Sequence, residues 1–149
     1  MSRNPPEAVV DAWIALMRAQ QTALLKIERA FRSAKLPPHA WYDVLWELDR
    51  ADGGALRPFE IEQRILIAQS NISRLIDRLE EQGYVARRPC AEDGRGQDIA
   101  ITPSGREMRR RMWPVYAKAI SEALGHRVSE REAASLAALL TKLVDKKDE

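Results

Sequence analysis

The chain has 149 residues, 45% of them hydrophobic, and a formal net charge of +2. A chain of this length forms one compact core with helical extensions, and no apolar run approaches the roughly 20 residues that cross a bilayer. Since its first residues also lack the apolar core of a signal peptide, we expect a cytoplasmic protein without a membrane partner. Its single cysteine, Cys90, excludes an intrachain disulfide and a zinc site built from several cysteines.

The small positive charge is concentrated in the middle of the chain. Residues 57–111 carry eleven basic and nine acidic side chains, whereas the flanking parts are balanced. All eleven basic residues are arginines, whose planar fork of donors suits phosphates and guanine edges. An ordinary solvated surface would account for the excess equally well, so charge alone does not identify a nucleic-acid partner.

The first part of the chain is predicted to form two helices. Apolar residues recur at three- and four-residue spacing over 7–34, which predicts one long helix that ends before the prolines at 37–38. A second helix is predicted over 39–49, and the glycine-containing segment 51–54 is the turn that closes it. Residues 55–57 are a candidate edge strand.

The middle of the chain is predicted to hold two short helices and a β-hairpin. The first helix covers 58–65, where a proline suits the first position, and the second covers 69–82, with Ala68 as its N-cap and a glycine after its end. Short strands at 84–88 and 98–101 then form a hairpin with a charged tip. The inward stripe of the second short helix is Ile72, Leu75, Ile76 and Leu79.

Two further helices complete the chain. Thr102 and Pro103 predict the N-cap and first turn of a helix that continues to about residue 124 and that Pro114 should kink. The spacing of Ser129 and Glu132 is that of a capping box, which predicts the start of the last helix. The inward residues of this last helix are Leu136, Leu140 and Leu143.

Two short helices followed by a hairpin are the parts of a winged helix-turn-helix, whose second helix enters the major groove of DNA. Residues 75–87 (LIDRLEEQGYVAR), 92–95 (EDGR) and 101–105 (ITPSG) resemble the MarR family of transcription regulators in sequence and spacing. The resemblance is most specific over 69–105 and extends through helix order to nearly the whole chain. It implies a mainly α fold with a small β-hairpin wing (α+β), a winged helix-turn-helix with N- and C-terminal dimerisation helices.

This resemblance implies a DNA-binding domain at 36–103 and a dimerisation region formed by 1–35 and 104–149. The implied function is a sequence-specific transcription regulator, a ligand-responsive repressor that binds a palindromic operator in double-stranded DNA as a homodimer. Two alternatives stay open: a monomeric bundle of the terminal helices, and a winged-helix protein–protein adaptor without sequence-specific DNA binding. We expect no enzyme, because the sequence offers no nucleophile elbow, phosphate loop or metal-binding histidine pair.

Contacts to DNA are predicted where side chains of a second helix reach the major groove. Amide side chains suit adenine and arginine suits guanine, so base contacts are predicted at the polar residues Gln69, Ser70, Asn71 and Arg74. Phosphate contacts are predicted at Ser73, Arg78, Arg87 and Arg88. The resemblance further implies that Asp93 of the wing orients Arg95 toward the minor groove, although Gly94 stands where the family often has another arginine. A solvated helix face and a simple surface ion pair are the alternatives.

The chain has four tryptophans, which raise the question of a ligand. The resemblance implies a candidate pocket for a small aromatic ligand at Trp13, Met17, Trp41 and Trp113. Helical spacing equally makes Trp13 and Trp41 core residues, which we favour for each of them. No cofactor and no metal are expected, since His39 and His126 lack partners at metal-ligand spacing. Cys90 is predicted to be passive, with a redox role left open.

Overall fold

The computed structural model describes residues 3–89 and 96–144, which form a mainly helical fold with one small sheet. The elements in chain order are α1 (Glu7–Ser33), α2 (His39–Arg50), β1 (Ala55–Leu56), α3 (Pro58–Arg64), α4 (Ile72–Glu81), β2 (Val85–Pro89), β3 (Gln97–Ile101), α5 (Pro103–Ile120) and α6 (Glu130–Thr141). A 3₁₀ turn at Asp52–Gly54 precedes β1, and a π-helical turn at Ser121–Gly125 follows α5. Within the described ranges no helix is long and apolar enough to cross a membrane.

The chain divides into two compact units, one formed by residues 28–116 and the other by 1–27 together with 117–149. The larger unit contains α2 to α4, the sheet and most of α5. The smaller unit contains most of α1, the end of α5 and α6. The predicted functional division, with DNA binding at 36–103, remains a prediction.

A three-stranded antiparallel sheet lies in the larger unit, in the order β1-β3-β2. The candidate edge strand is confirmed as β1, where Ala55 pairs with Ala100. The predicted hairpin is formed by β2 and β3, with Val85 opposite Ile101. Helices α2 and α3 both pack on β3, while α4 packs on β2.

The core of the larger unit is apolar and draws on every one of its helices and strands. Its fully buried side chains include Phe31, Leu45, Leu48, Ile61, Ile76, Leu79, Ile99 and Met112. The predicted inward stripe of α4 is confirmed at Leu75, Ile76 and Leu79, whereas Ile72 is half-buried. Burial of this stripe fixes which face of α4 points to solvent.

Helix α4 begins three residues later than the sequence pattern predicts. Its first helical residue is Ile72 and its N-cap is Asn71, whose Oδ1 accepts a hydrogen bond of 3.0 Å from the amide of Arg74. The prediction of Ala68 as N-cap is therefore wrong, because a methyl side chain cannot accept this bond and an asparagine three residues on does so. Gln69 and Ser70 consequently lie before the helix and not in its first turn.

The passage from α4 to β2 explains the glycines of the sequence motif. Gly83 adopts a positive φ of 77°, and the amide of Tyr84 bonds the carbonyl of Leu79 at 3.0 Å, which ends the helix in a left-handed cap. Thr102 then joins two elements, because its Oγ1 donates to the Gly83 carbonyl (2.6 Å) and accepts from the Gly105 amide (3.0 Å). The predicted N-cap of α5 is thereby confirmed. A Cβ at Gly105 would lie 2.1 Å from the Tyr84 carbonyl oxygen, so this approach admits only glycine.

The predicted capping box at the start of α6 is confirmed. Ser129 Oγ accepts a hydrogen bond from the Glu132 amide at 3.1 Å, and Glu132 Oε1 accepts one from the Ser129 amide at 3.0 Å.

The smaller unit differs from the larger one in its exposed apolar side chains. These are Val9, Val10, Trp13 and Ile14 on α1, Leu136 and Leu139 on α6, and Leu143 and Val144 after it. The core assignment of Trp13 is wrong for the single chain, because 61% of this residue is accessible. Likewise Leu136 and Leu143, predicted to point inward, are exposed.

Candidate nucleic-acid interface

The face of α4 opposite its apolar stripe is polar and accessible. Ser73, Arg74 and Arg78 are all exposed on it. Among the residues that the structure describes, neither Arg74 nor Arg78 has an acidic partner within ion-pair distance. The helix therefore presents two guanidinium groups and a hydroxyl group to solvent.

The approach to α4 brings the other predicted base-contact residues to the same end of the helix. Ser70 and Asn71 are exposed, while Gln69 is half-buried and its Nε2 donates to the carbonyl of Ala68 at 3.1 Å. The side-chain oxygen of Asn71 already accepts one hydrogen bond as the helix cap, which leaves its amide group and the second lone pair of the oxygen for a base. Base contact by Asn71 therefore remains a prediction, with the orientation of its side chain fixed by the capping bond.

Arg87 of β2 binds two carboxylates on α4. Its guanidinium lies 2.5 Å from Asp77 Oδ1 and 2.6 Å from Glu80 Oε1, and its amide donates to the second Glu80 oxygen at 3.2 Å. The bond to Asp77 is the largest cause that raises the pKa of Arg87. This cluster ties the wing strand to α4, and the one positive charge of Arg87 offsets one of the two negative charges on the helix. Phosphate contact by Arg87 remains a prediction. The neighbouring Arg88 is exposed.

The predicted wing contacts lie outside the described residues. This holds for Asp93, Arg95 and also Cys90, all of which fall between the described ends of β2 and β3. The ligand residues are divided between the units: Trp13 and Met17 belong to the smaller one, and Trp41 and Trp113 to the larger one. The candidate ligand pocket therefore remains a prediction.

Within the larger unit, sequence reasoning missed an aromatic cluster that joins α2 to α5. His39 Nε2 lies 2.8 Å from the hydroxyl of Tyr116, and the Tyr116 ring meets that of Tyr42 edge-on at 4.8 Å between centroids. Trp113 stacks on Tyr42 at 6.3 Å. Burial lowers the pKa of His39, an effect that the nearby Glu28 partly opposes. The spacing of three residues between His39 and Tyr42, and between Trp113 and Tyr116, was the available signal for this cluster.

Sequence reasoning also missed Asp43 of α2, which is 3% exposed. Its Oδ2 accepts hydrogen bonds from the amides of Leu66 (2.6 Å) and Ile67 (2.8 Å) in the turn between α3 and α4. No local pattern could indicate this contact, because more than twenty residues separate the acceptor from its donors.

Helices α3 and α4 with their connecting turn, followed by the β2–β3 hairpin, make this a winged helix-turn-helix protein. The family model of the MarR family matches residues 35–96. The HTH-type transcriptional regulator PrsX of Escherichia coli is 34% identical over 88 residues, which are 59% of this chain and 53% of PrsX. The chain thus spans about half the length of the curated relatives it matches.

Solved structures extend the likeness beyond the matched segment. Sco3205, a MarR family regulator from Streptomyces coelicolor solved in complex with DNA, is 26% identical with a TM-score of 0.85, covering 96% of this chain and 89% of its own. BpsR of Bordetella bronchiseptica, whose DNA binding is regulated by 6-hydroxynicotinic acid, shares the fold at 24% identity and a TM-score of 0.80, covering 97% of this chain and 100% of its own. The chain is thus similar to regulators of the MarR family, by the family model over residues 35–96 and by fold over nearly its whole length.

Proposed function

We propose that this protein is a sequence-specific, DNA-binding transcription regulator that acts by binding and not by catalysis. The observation that carries the proposal is the exposed polar face of α4, where Arg74 and Arg78 have no acidic partner among the described residues. Such a face suits a helix in the major groove, with Arg74 near base edges and Arg78 with Ser73 nearer the phosphates. DNA binding is assigned to 36–103, as the sequence predicts.

Selection from a pool of random duplexes tests this proposal. The wild type is expected to enrich one sequence, and Arg74→Ala to lose preference at specific positions of that site. Arg110→Ala is the matched control, because it removes the same charge from an exposed side chain of the same unit. If the wild type enriches no site, or if both variants lose affinity equally without any change in preference, the assignment of Arg74 to base reading is wrong.

We further propose that the protein binds a palindromic operator as a homodimer formed through 1–35 and 104–149. The exposed apolar residues of α1 and α6 support this, since contiguous apolar surface on a soluble protein is commonly covered by a partner. A two-fold dimer places its recognition helices roughly 34–36 Å apart, one turn of DNA. Sedimentation at micromolar concentration is expected to give a dimer, and a monomer would favour the bundle alternative.

At the wing, we propose that Asp93 orients Arg95 toward the minor groove, with Arg88 as a phosphate contact. A guanidinium there meets the negative potential of a narrow groove. Arg95→Ala is expected to weaken binding more to sites flanked by A·T pairs than to sites flanked by G·C pairs. Equal losses on both kinds of site would leave Arg95 as a simple phosphate or surface residue.

Ligand-responsive repression is proposed as the mode of regulation, with a small aromatic ligand bound near Trp13, Met17, Trp41 and Trp113. A ligand releases DNA only if it binds the conformation that does not bind DNA more tightly than the conformation that does. The test is a titration with 6-hydroxynicotinic acid and with benzoate. Each ligand that binds is expected to quench the tryptophan fluorescence of the wild type and to raise the dissociation constant for the operator. Quenching that survives in Trp113→Phe and Trp41→Phe would place any ligand elsewhere.

The adaptor alternative has one supporting observation in the larger unit. Phe59 is 56% and Leu66 is 76% exposed, and apolar side chains on a winged helix favour a protein partner over DNA. Substituting both by serine is expected to leave operator binding in place. If the double serine variant loses binding to a partner protein, and the wild type binds all DNA duplexes with equal affinity, the adaptor alternative would be favoured.

A further inference from the structure

The turn between α3 and α4 is positioned by a carboxylate from another helix. The structure gives α3 a last residue at Arg64 and α4 an N-cap at Asn71, so the backbone between them is not held by a helix. Asp43 of α2 accepts two hydrogen bonds in this segment, from the amides of Leu66 and Ile67. Both bonds end on the same oxygen, Oδ2.

The beginning of this turn lies at the surface of the protein. The Leu66 side chain is 76% exposed, so apolar packing does not hold this residue in place. Asp43, by contrast, is buried in α2 next to Val44 and Leu45, two side chains with no accessible surface. Burial raises the pKa of the Asp43 carboxyl, and the hydrogen bonds from the Ile67 and Leu66 amides oppose this rise. Removal of the carboxyl group would leave these two backbone donors without their acceptor. The rigid core thereby extends to the residues just before α4.

We infer that Asp43 is a positioning residue for DNA reading: its carboxylate fixes the turn and thereby the placement of Asn71 and Arg74. This inference rests on the proposed function of α4. Three contacts position α4. Its buried apolar stripe sets the rotation of the helix about its axis, and Arg87 holds the two carboxylates one to two turns along it. Asp43 holds the turn that leads into the helix. Losing the entry contact displaces base-reading side chains while the core remains folded.

The conservative variant separates geometry from charge. In Asp43→Asn the amide oxygen can take the place of Oδ2 and accept both bonds, because one oxygen has two lone pairs. Asp43→Ala has no acceptor. We therefore expect Asp43→Asn to keep most of the sequence preference and Asp43→Ala to lose it.

The experiment measures two dissociation constants for each protein, one on the duplex selected by the wild type and one on a scrambled duplex of the same composition. For Asp43→Ala the ratio of the two is expected to fall about tenfold, the scale of one impaired base contact, with binding to the scrambled duplex unchanged. Val44→Ala is the matched control: it removes buried apolar atoms from the adjacent residue, lowers the thermal midpoint, and is expected to keep the wild-type ratio. Hydrogen exchange gives a second readout, with protection lost at the Leu66 and Ile67 amides in Asp43→Ala alone.

The outcomes are distinct. A wild type without a preferred duplex overturns the proposed function itself. A wild type that has one, with an unchanged ratio in Asp43→Ala, overturns the inference about Asp43 and leaves the function standing. If Asp43→Ala does not fold, Leu66→Pro tests the contact from the donor side, because proline removes the amide hydrogen and Ile65 already has the extended conformation that proline requires of the preceding residue. A wild-type ratio in Leu66→Pro would likewise overturn the inference.

Discussion

Helices α4 and α6 are both amphipathic, yet they differ in how much of their apolar face the chain itself covers. In α4 the stripe is buried, with Leu79 at 0% and Ile76 at 1% exposure. In α6, Leu136 is 38% and Leu139 is 58% exposed. Large apolar residues recur at three- and four-residue spacing in both helices, so periodicity indicates which face is apolar but not which molecule covers it. In α4 the chain supplies the cover, and in α6 we propose that a second copy does.

The largest effect is expected from truncating the same residue type in each helix. Leu79→Ala should lower the free energy of unfolding by about 3 kcal/mol, because it leaves a cavity in a closed core. Leu139→Ala should instead raise the dissociation constant of the dimer about tenfold. Urea unfolding at two protein concentrations and sedimentation measure the two effects. Equal losses of unfolding free energy, independent of concentration, would remove the distinction between the helices.

A smaller but sharper contrast is expected between two glycines, one in each unit. Gly105→Ala places a methyl group against the backbone oxygen of Tyr84 and should cost about 2 kcal/mol. At Gly125 the nearest atom to an added Cβ, the Cβ of Ser121, lies 3.7 Å away. Gly125→Ala should therefore be neutral or stabilise by up to about 1 kcal/mol. Thermal unfolding compares them, and a tolerated Gly105→Ala would contradict the close approach of α5 to Tyr84.

The ion cluster of the larger unit is expected to matter more for DNA than for stability. Arg87→Ala should change the free energy of unfolding by no more than about 1 kcal/mol, since its partners are largely exposed. The loss of binding free energy to DNA should be larger than this loss of stability, because the negative charges of Asp77 and Glu80 would repel the phosphates without the positive charge of Arg87 beside them. In the triple variant that also changes both acids to their amides, affinity should recover. If affinity stays low there, Arg87 contacts the phosphate directly.

The smallest effect is a pH dependence of stability from His39. Burial lowers its pKa from 6.5, so the folded state favours the neutral ring. Its contribution to stability is complete above the unfolded pKa and is lost as pH falls below about 6.5 toward the lowered folded value. Unfolding midpoints between pH 7 and 5 should decline in the wild type, and less in His39→Gln. A parallel decline in both proteins would assign the pH dependence to other groups.

Much of the fold could be predicted because most of its elements carry local signals. Pro58, Gly83 and the Ser129–Glu132 pair mark helix ends through backbone chemistry within a few residues, and the structure has helix ends at each. The start of α4 could not be placed, because Gln69, Ser70 and Asn71 are all polar and any of them fits a helix or the turn before it.

The candidate interface was predictable in residue type but not in arrangement. Arg74 and Arg78 follow from helical spacing alone. The roles of Asp43 and Arg87 depend on contacts between elements distant in sequence or of different kind, which periodicity does not report. The exposure of Trp13 could not be predicted either. An apolar stripe predicts burial, but it does not indicate whether the same chain or another molecule covers the residue, and the single chain leaves Trp13 accessible.

Hydroxyl-radical footprinting on the duplex selected by the wild type tests most directly whether α4 reads DNA within a two-fold dimer. We expect two protected half-sites related by symmetry, with centres about 10 base pairs apart or a multiple of that spacing, and loss of both in Arg74→Ala. A single protected half-site, or a footprint that Arg74→Ala leaves unchanged, would contradict it.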